Sequence, residues 1–335
     1  MTGSNGQSRF NEVTNNFLKH PDILALAAKL SKCEKSDKSC SDAVAVEAKT
    51  RSDANNAQLL ACGTDQSCVQ GQITDFVQGA RSFGLLNAAD KSKDKNAFGA
   101  MSDMQTRGGL IAANLSAGNA NYTQWSASNC VALTDAACGT KFQVQAQSGE
   151  LLPRSVLPSN TFGGWLLGTT SFRSTHEYTH TGSVCDGSSS TCTPNSTYNA
   201  LRQYPGPGTS GDSLVNSGSV STIKLGPSQL GYVTHLVDPT TMSVVNITVP
   251  GQHGLDRGWV VRQVDPQPNG VTSVSSYGAG TGANPFDMNV RLASPVWDSN
   301  ITFGIRPAAN SGSGPVNAVT GPVRSILCAR FGDCK

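Results

Sequence analysis

The sequence predicts an α+β chain, helical in its first part and built on a compact twisted antiparallel sheet with small helix in its second. Up to about residue 140, apolar residues recur at helical spacing. Beyond Ser174, short β-rich runs alternate with Gly, Pro and Asn turns. The composition agrees: 37% hydrophobic and 14% charged over 335 residues, with 35 glycines. Such a mix suits a turn-rich secreted or surface protein and argues against a coiled coil or a membrane protein.

The helices come first. His20–Leu30 opens with Pro21-Asp22 and carries Ile23, Leu26 and Leu30 on one stripe. Ser41–Lys49 is rich in Ala and Val, Cys68–Phe83 aligns Val69, Ile73, Phe76 and Val77, and a further helix is expected over Ala97–Leu115. These stripes read as core. Near Lys141 the texture changes, with Phe142–Ala146 alternating apolar and polar, and a Pro- and Gly-containing stretch follows to Arg173. One short helix is expected over Pro194–Arg202, with Thr193 as its cap and Pro205-Gly206-Pro207-Gly208 as its stop. Strands are expected at Ser219–Leu225, Tyr232–Val237, Ser243–Val249, Trp259–Val264, Val271–Tyr277 and Met288–Leu292, and Ala308–Pro315 as a flexible tail. The domain reading is therefore 1–140 helical, 141–172 linker, 173–320 a second domain, and 321–335 a tail carrying Cys328 and Cys334.

The ten cysteines fall into short-range pairs: Cys33/Cys40, Cys62/Cys68, Cys130/Cys138, Cys185/Cys192 and Cys328/Cys334. None has the C-x-x-C spacing of zinc ribbons or thioredoxin-like sites. The regular pairing reads as small disulfide loops formed in an oxidising compartment. The polar opening Met1–Gly6 lacks the apolar core of an export signal, so the chain is expected to be a piece of a larger exported protein. A net charge of +2 gives no broad basic face for gripping long nucleic acid.

Chemistry is expected around His253, which leaves a Pro250-Gly251 turn. An imidazole there is expected to be exposed and poised for acid–base work near neutral pH. Arg262, mid-strand, can hold a phosphate through two parallel hydrogen bonds. Ser275, Tyr277 and Thr281 supply hydroxyls for positioning substrate, and His235 supplies a second imidazole. The competing motif is His176-Glu177-Tyr178-Thr179-His180, an H-E-x-x-H that on a helix would bind zinc. Its β-branched, aromatic flanks favour a strand instead, where the two histidines stand about 13 Å apart. Gly278–Gly282 is not followed by the Gly-Lys-Ser/Thr of a phosphate loop.

The opening Glu12-Val13-Thr14-Asn15-Asn16-Phe17-Leu18, with the helical, cysteine-paired segment after it, resembles the region behind the pretoxin motif of contact-dependent growth inhibition proteins. These are filamentous-haemagglutinin-type exoproteins with variable C-terminal toxins. Cys185…Cys192-Thr193-Pro194, Tyr198–Leu201, Asn246-Ile247-Thr248, His253, Val261-Arg262 and Gly278–Gly282 resemble a family of such toxin domains. The resemblance implies a translocation domain followed by a barnase/EndoU/colicin-like ribonuclease, which cleaves RNA, tRNA foremost, without metal or cofactor. It also implies secretion to the cell surface, an inner-membrane receptor on the target cell, delivery to that cell's cytoplasm and a cognate immunity protein. In an EndoU-like mapping His235 and His253 would be the two imidazoles and Ser275-Ser276-Tyr277 the hydroxyl element; the lysine of that pattern is missing, leaving Arg262 or Arg291 in its place. The alternatives are a zinc metallopeptidase using His176, Glu177 and His180, an NAD-consuming toxin, and a non-enzymatic adhesin or delivery module.

Overall fold

The fold is α+β in a computed structural model, which describes residues 17–63, 65–93, 95–117, 122–147, 161–168, 174–255, 257–282 and 288–311. The helical part comprises α1 (His20–Leu30), α2 (Lys38–Ala61), α3 (Gln66–Ser82), α4 (Gly84–Ala89), α5 (Asn96–Ser116), α6 (Tyr122–Asn129) and α7 (Asp135–Gln147). Local chemistry starts them where side chains can serve the free N–H groups. Asp37 accepts from the backbone of Cys40, and Asp65 from Ser67 and Cys68. Disulfides Cys33–Cys40, Cys62–Cys68 and Cys130–Cys138 close the turns α1–α2, α2–α3 and α6–α7.

Beyond α8 (Phe162–Gly168) runs an antiparallel six-stranded sheet. Its strands are β1 (His176–Asp186), β2 (Val220–Leu225), β3 (Ser228–Asp238), β4 (Ser243–His253), β5 (Gly258–Pro266) and β6 (Val271–Gly280), in the order β1-β6-β5-β4-β3-β2. Between β1 and β2 lies α9 (Pro194–Gln203), capped by Thr193 as expected, and Cys185–Cys192 ties its start to the end of β1. After β6 come α10 (Met288–Asn300), a π-helical turn (Ile301–Ile305) and α11 (Arg306–Asn310).

Strand alternation divides the sheet into two faces. Leu236, Val245, Ile247, Val249, Trp259, Val261 and Ala279 share one core with the helices α1–α7. Here α5 lies directly on β4. A Cβ added to Gly109 would sit 2.4 Å from Ile247 Cδ1 and 2.9 Å from Phe76 Cζ, so only glycine allows that approach. Trp259 locks the contact, with its ring 5.4 Å from Phe83 and 5.6 Å from Tyr277. On the other face Val237, Val244, Val264 and Val274 pack with α9, α11 and the π-helical turn.

Three sequence expectations are corrected. Met288–Leu292 is the start of α10, not a strand; Pro295 inside that helix mimics a break in the pattern. Phe142–Ala146 belongs to α7. Its buried pair Phe142 and Ala146 lies at i,i+4, so the alternation coincides with a helical stripe. The expected tail begins in structure: Ala308 and Ala309 are buried in α11. The linker reading overlaps α7 and contains α8, while Cys328 and Cys334 lie outside the described residues.

Candidate functional site

The face away from the main helices carries an unusual load of buried polar side chains, and strand register arranges them in rows. One row runs His180, Ser276, Arg262, Val244. The next runs Tyr178, Gly278, Val260, Asn246, His235. A third begins with His176 opposite Gly280, itself opposite Gly258, and Thr248 Oγ1 accepts from Gly258 N.

Arg262 is fully buried. Its Nε donates to Ser276 Oγ (3.2 Å), and Nη1 donates to the carbonyls of Tyr204 (3.3 Å) and Pro205 (3.2 Å) and to Asn300 Oδ1 (2.7 Å). The guanidinium also lies 4.4 Å from the centre of the Trp297 ring. Burial lowers its pKa to about 9, still above neutrality, so a cation sits in the core on carbonyl dipoles. Asn300 Nδ2 donates to Gly206 O and Asn246 Nδ2 to Pro205 O, so three side chains fasten the corner that follows α9. The expected phosphate anchor is thus a fastening of the core, with its donors turned inward.

His235 belongs to the same fabric. Asn246 Oδ1 lies 2.8 Å from Nδ1 and Ser221 Oγ 2.8 Å from Nε2. Both ring nitrogens are engaged, and desolvation lowers its pKa to about 4. Tyr277 is on the opposite face, against Trp259 and α4, donating its hydroxyl to Glu177 Oε2 (2.7 Å). Thr281 also points towards the helices, its Cγ2 near Gly99 of α5. Tyr277 and Thr281 are therefore separated from His253 by the thickness of the sheet.

His253 lines an open-sided pocket on the polar face. The pocket lies between α10 (Leu292, Val296, Trp297) and β2–β3 (Ile223, Leu230), with His176, Tyr178 and Thr248 among its few polar groups. Among the described residues lining it there is no Lys, Arg, Asp or Glu. Gly258 is among the residues that line it.

The imidazole of His253 is not the exposed, ordinary one the Pro-Gly turn suggested. Its residue is 3% exposed, because β4 continues past the turn to His253. Desolvation lowers its pKa to about 3, so it is neutral at pH 7. Leu255 N donates to Nδ1 (3.1 Å), which leaves the ring proton on Nε2. At His176, Nδ1 lies 3.1 Å from the Ser174 carbonyl oxygen, an acceptor only, which places a proton on Nδ1. Burial lowers the His176 pKa as well. Sequence reasoning placed His176 only in a zinc motif. His176 packs tightly over Gly280, where an added Cβ would sit 2.9 Å from His176 Nε2.

The H-E-x-x-H run lies on β1. His176, Tyr178 and His180 share the polar face, His180 pairing with Asp298 (2.9 Å). Glu177 points the other way and accepts from Tyr277 and Asn87. Histidines about 13 Å apart on a strand and a carboxylate on the far face do not converge on one ion. Nor do any three His, Cys, Asp or Glu among the described residues.

No protein-family model matches the chain, and no curated protein matches it either.

Proposed function

We propose that the chain is the translocation-plus-toxin part of a contact-dependent growth inhibition protein, and that the pocket of His253 cleaves RNA, tRNA foremost, without metal. One observation carries the chemical half of this reading: two imidazoles line a single open pocket. RNA cleavage through the ribose 2′-hydroxyl needs a proton acceptor and a hydrogen-bond donor, and imidazole rings can fill both roles. The apolar walls suit a base or sugar. The sequence resemblance carries the biological half, together with the partners it implies: an immunity protein and a target-cell receptor.

The test is expression of the whole chain in a bacterium with an oxidising cytoplasm, with growth and total RNA followed beside His253→Ala at matched soluble protein. Discrete tRNA fragments that vanish in the variant are expected. Growth arrest with intact RNA overturns the nuclease, and absence of arrest favours a delivery or binding module. Consumption of NAD is a second reading: the apolar and aromatic lining can receive nicotinamide, which is neutral once its bond to ribose has broken. The NAD content of the same cells decides it.

A further inference from the structure

We propose that this pocket receives one unpaired base of the RNA substrate, an uncharged planar ring, and that His253 reads an acceptor on the edge of that ring through its Nε2–H. The inference rests on the reading of the pocket as an RNA-cleaving site. It gives His253 a binding role in place of the acid–base role expected from the sequence.

The polar groups that line the pocket differ in what they have left to offer. Asn246 spends Oδ1 on His235 and Nδ2 on the Pro205 carbonyl. Thr248 Oγ1 accepts from Gly258 N (2.9 Å) and donates to Gly258 O (3.1 Å). The Tyr178 hydroxyl is hydrogen-bonded with Trp297, and His176 Nδ1 with the Ser174 carbonyl. His253 differs. Leu255 N donates to its Nδ1, so the ring proton is on Nε2, and that N–H meets no acceptor among the described residues. A residue only 3% exposed therefore lines the pocket with an unanswered donor, and a buried donor without a partner costs its full desolvation.

The donor and its surroundings select the ligand. Ile223, Leu230 and Val296 give apolar walls, and Tyr178 and Trp297 give aromatic ones. Both rings are held in place: Arg262 lies 4.4 Å from the centre of Trp297, and Tyr178 packs over Gly278, where a Cβ would collide with it. Fixed aromatic walls favour a planar partner. An ion would lose its hydration here without a counter-charge, since no Lys, Arg, Asp or Glu lies among the described lining residues. An aliphatic ligand would leave the His253 N–H unpaired. A nucleobase meets every condition, being neutral and planar with carbonyl or ring-nitrogen acceptors on its edge. Within a duplex its faces are stacked and its edge is paired, so only a loop base or one swung out of the helix can lie between α10 and β2–β3. Cleavage should therefore fall at unpaired nucleotides.

Purified whole chain tests the proposal with guanosine, uridine and nicotinamide as neutral probes, followed by calorimetry and by the NMR signal of the His253 Nε2 proton. At least one nucleoside should bind and move that signal. Failure of both to bind, or binding that leaves the signal in place, overturns the inference; nicotinamide binding alone moves the pocket to NAD. His253→Leu should weaken the nucleoside about tenfold, and His253→Gln, whose amide can still donate, should stay within about threefold of the wild type. A His253→Leu that binds like the wild type, or a His253→Gln as weak as His253→Leu, overturns the donor role. Nucleoside affinity should be unchanged between about 50 and 200 mM salt, since no phosphate is gripped. On an RNA hairpin the cuts should fall in the loop, and cuts confined to the stem overturn the inference. RNA cleavage without nucleoside binding removes this inference and leaves the nuclease reading. Nucleoside binding by a protein that cleaves no RNA removes the nuclease reading and leaves the pocket's ligand class.

Discussion

The two faces of the sheet are built from the same strands yet obey different rules. The face under α1–α7 is apolar and interlocking: Ile247, Trp259, Val261 and Ala279 bury against Phe76, Phe83 and α5. The other face buries His235, Asn246, Arg262, Ser276 and Asn300 and holds them by hydrogen bonds. Apolar packing tolerates small adjustments, but a buried polar group left without its partner costs its full desolvation. The polar face therefore fixes positions more sharply, and the pocket is on that side.

Two substitutions should expose the difference most strongly. Trp259→Ala removes the ring that joins sheet to helices and should cost about 3–5 kcal/mol in urea unfolding. Arg262→Ala should cost a comparable ~3 kcal/mol for a different reason, because Asn300 and the Tyr204 and Pro205 carbonyls lose their donor. The Arg262 variant should also loosen the corner after α9, seen as faster amide exchange at residues 204–208, while the Trp259 variant should not.

Next is the covalent link on the polar side. Replacing Cys185 and Cys192 together by Ser opens an eight-residue loop and should cost about 2.5 kcal/mol on loop-entropy grounds. Thermal unfolding of the double variant measures it.

The polar face should also make stability depend on acid. The folded state keeps His235 and His253 neutral, with pKa values lowered to about 4 and about 3. The unfolded chain binds protons at these residues below about pH 6.5. Stability should therefore be complete above that pH and fall progressively as pH drops towards 4 and then 3. Urea midpoints in that window should decline less steeply in His235→Gln. The smallest effect belongs to the outer surface of the helices. The Glu47 carboxyl is held below its usual pKa by Lys29 and Arg51, but the group is solvated. Glu47→Gln should change stability by less than about 0.5 kcal/mol.

The same contrast explains what the sequence made legible. Ile23, Val69, Ile73 and Phe76 repeat at helical spacing because their face is apolar throughout, and α1 and α3 followed from that pattern. The strands β2–β6 were readable for the same reason, and the flanks of the H-E-x-x-H run favoured the strand found there. Arg262 could be placed on a strand but not given its role, since its partners Tyr204, Pro205 and Asn300 come from α10 and the corner after α9, 38 to 58 residues away. That His176 and His253 line one pocket was hidden likewise. Three strand-to-strand steps separate them across the sheet, and the tautomers depend on backbone groups of Ser174 and Leu255 that composition does not reveal. His253 was misjudged as exposed because a Pro-Gly turn ordinarily ends a strand, whereas β4 continues through it.

The described disulfides join cysteines only six to eight positions apart, and none connects the helices α1–α7 to the sheet. Each is a small knot on a string, hiding a few residues of contour. Pulled from either end, the described segment could straighten almost to the length its residue count permits, about 3.4 Å per residue, with every sulfur bond intact. Its resistance to being drawn out would come from the interlocked cores alone.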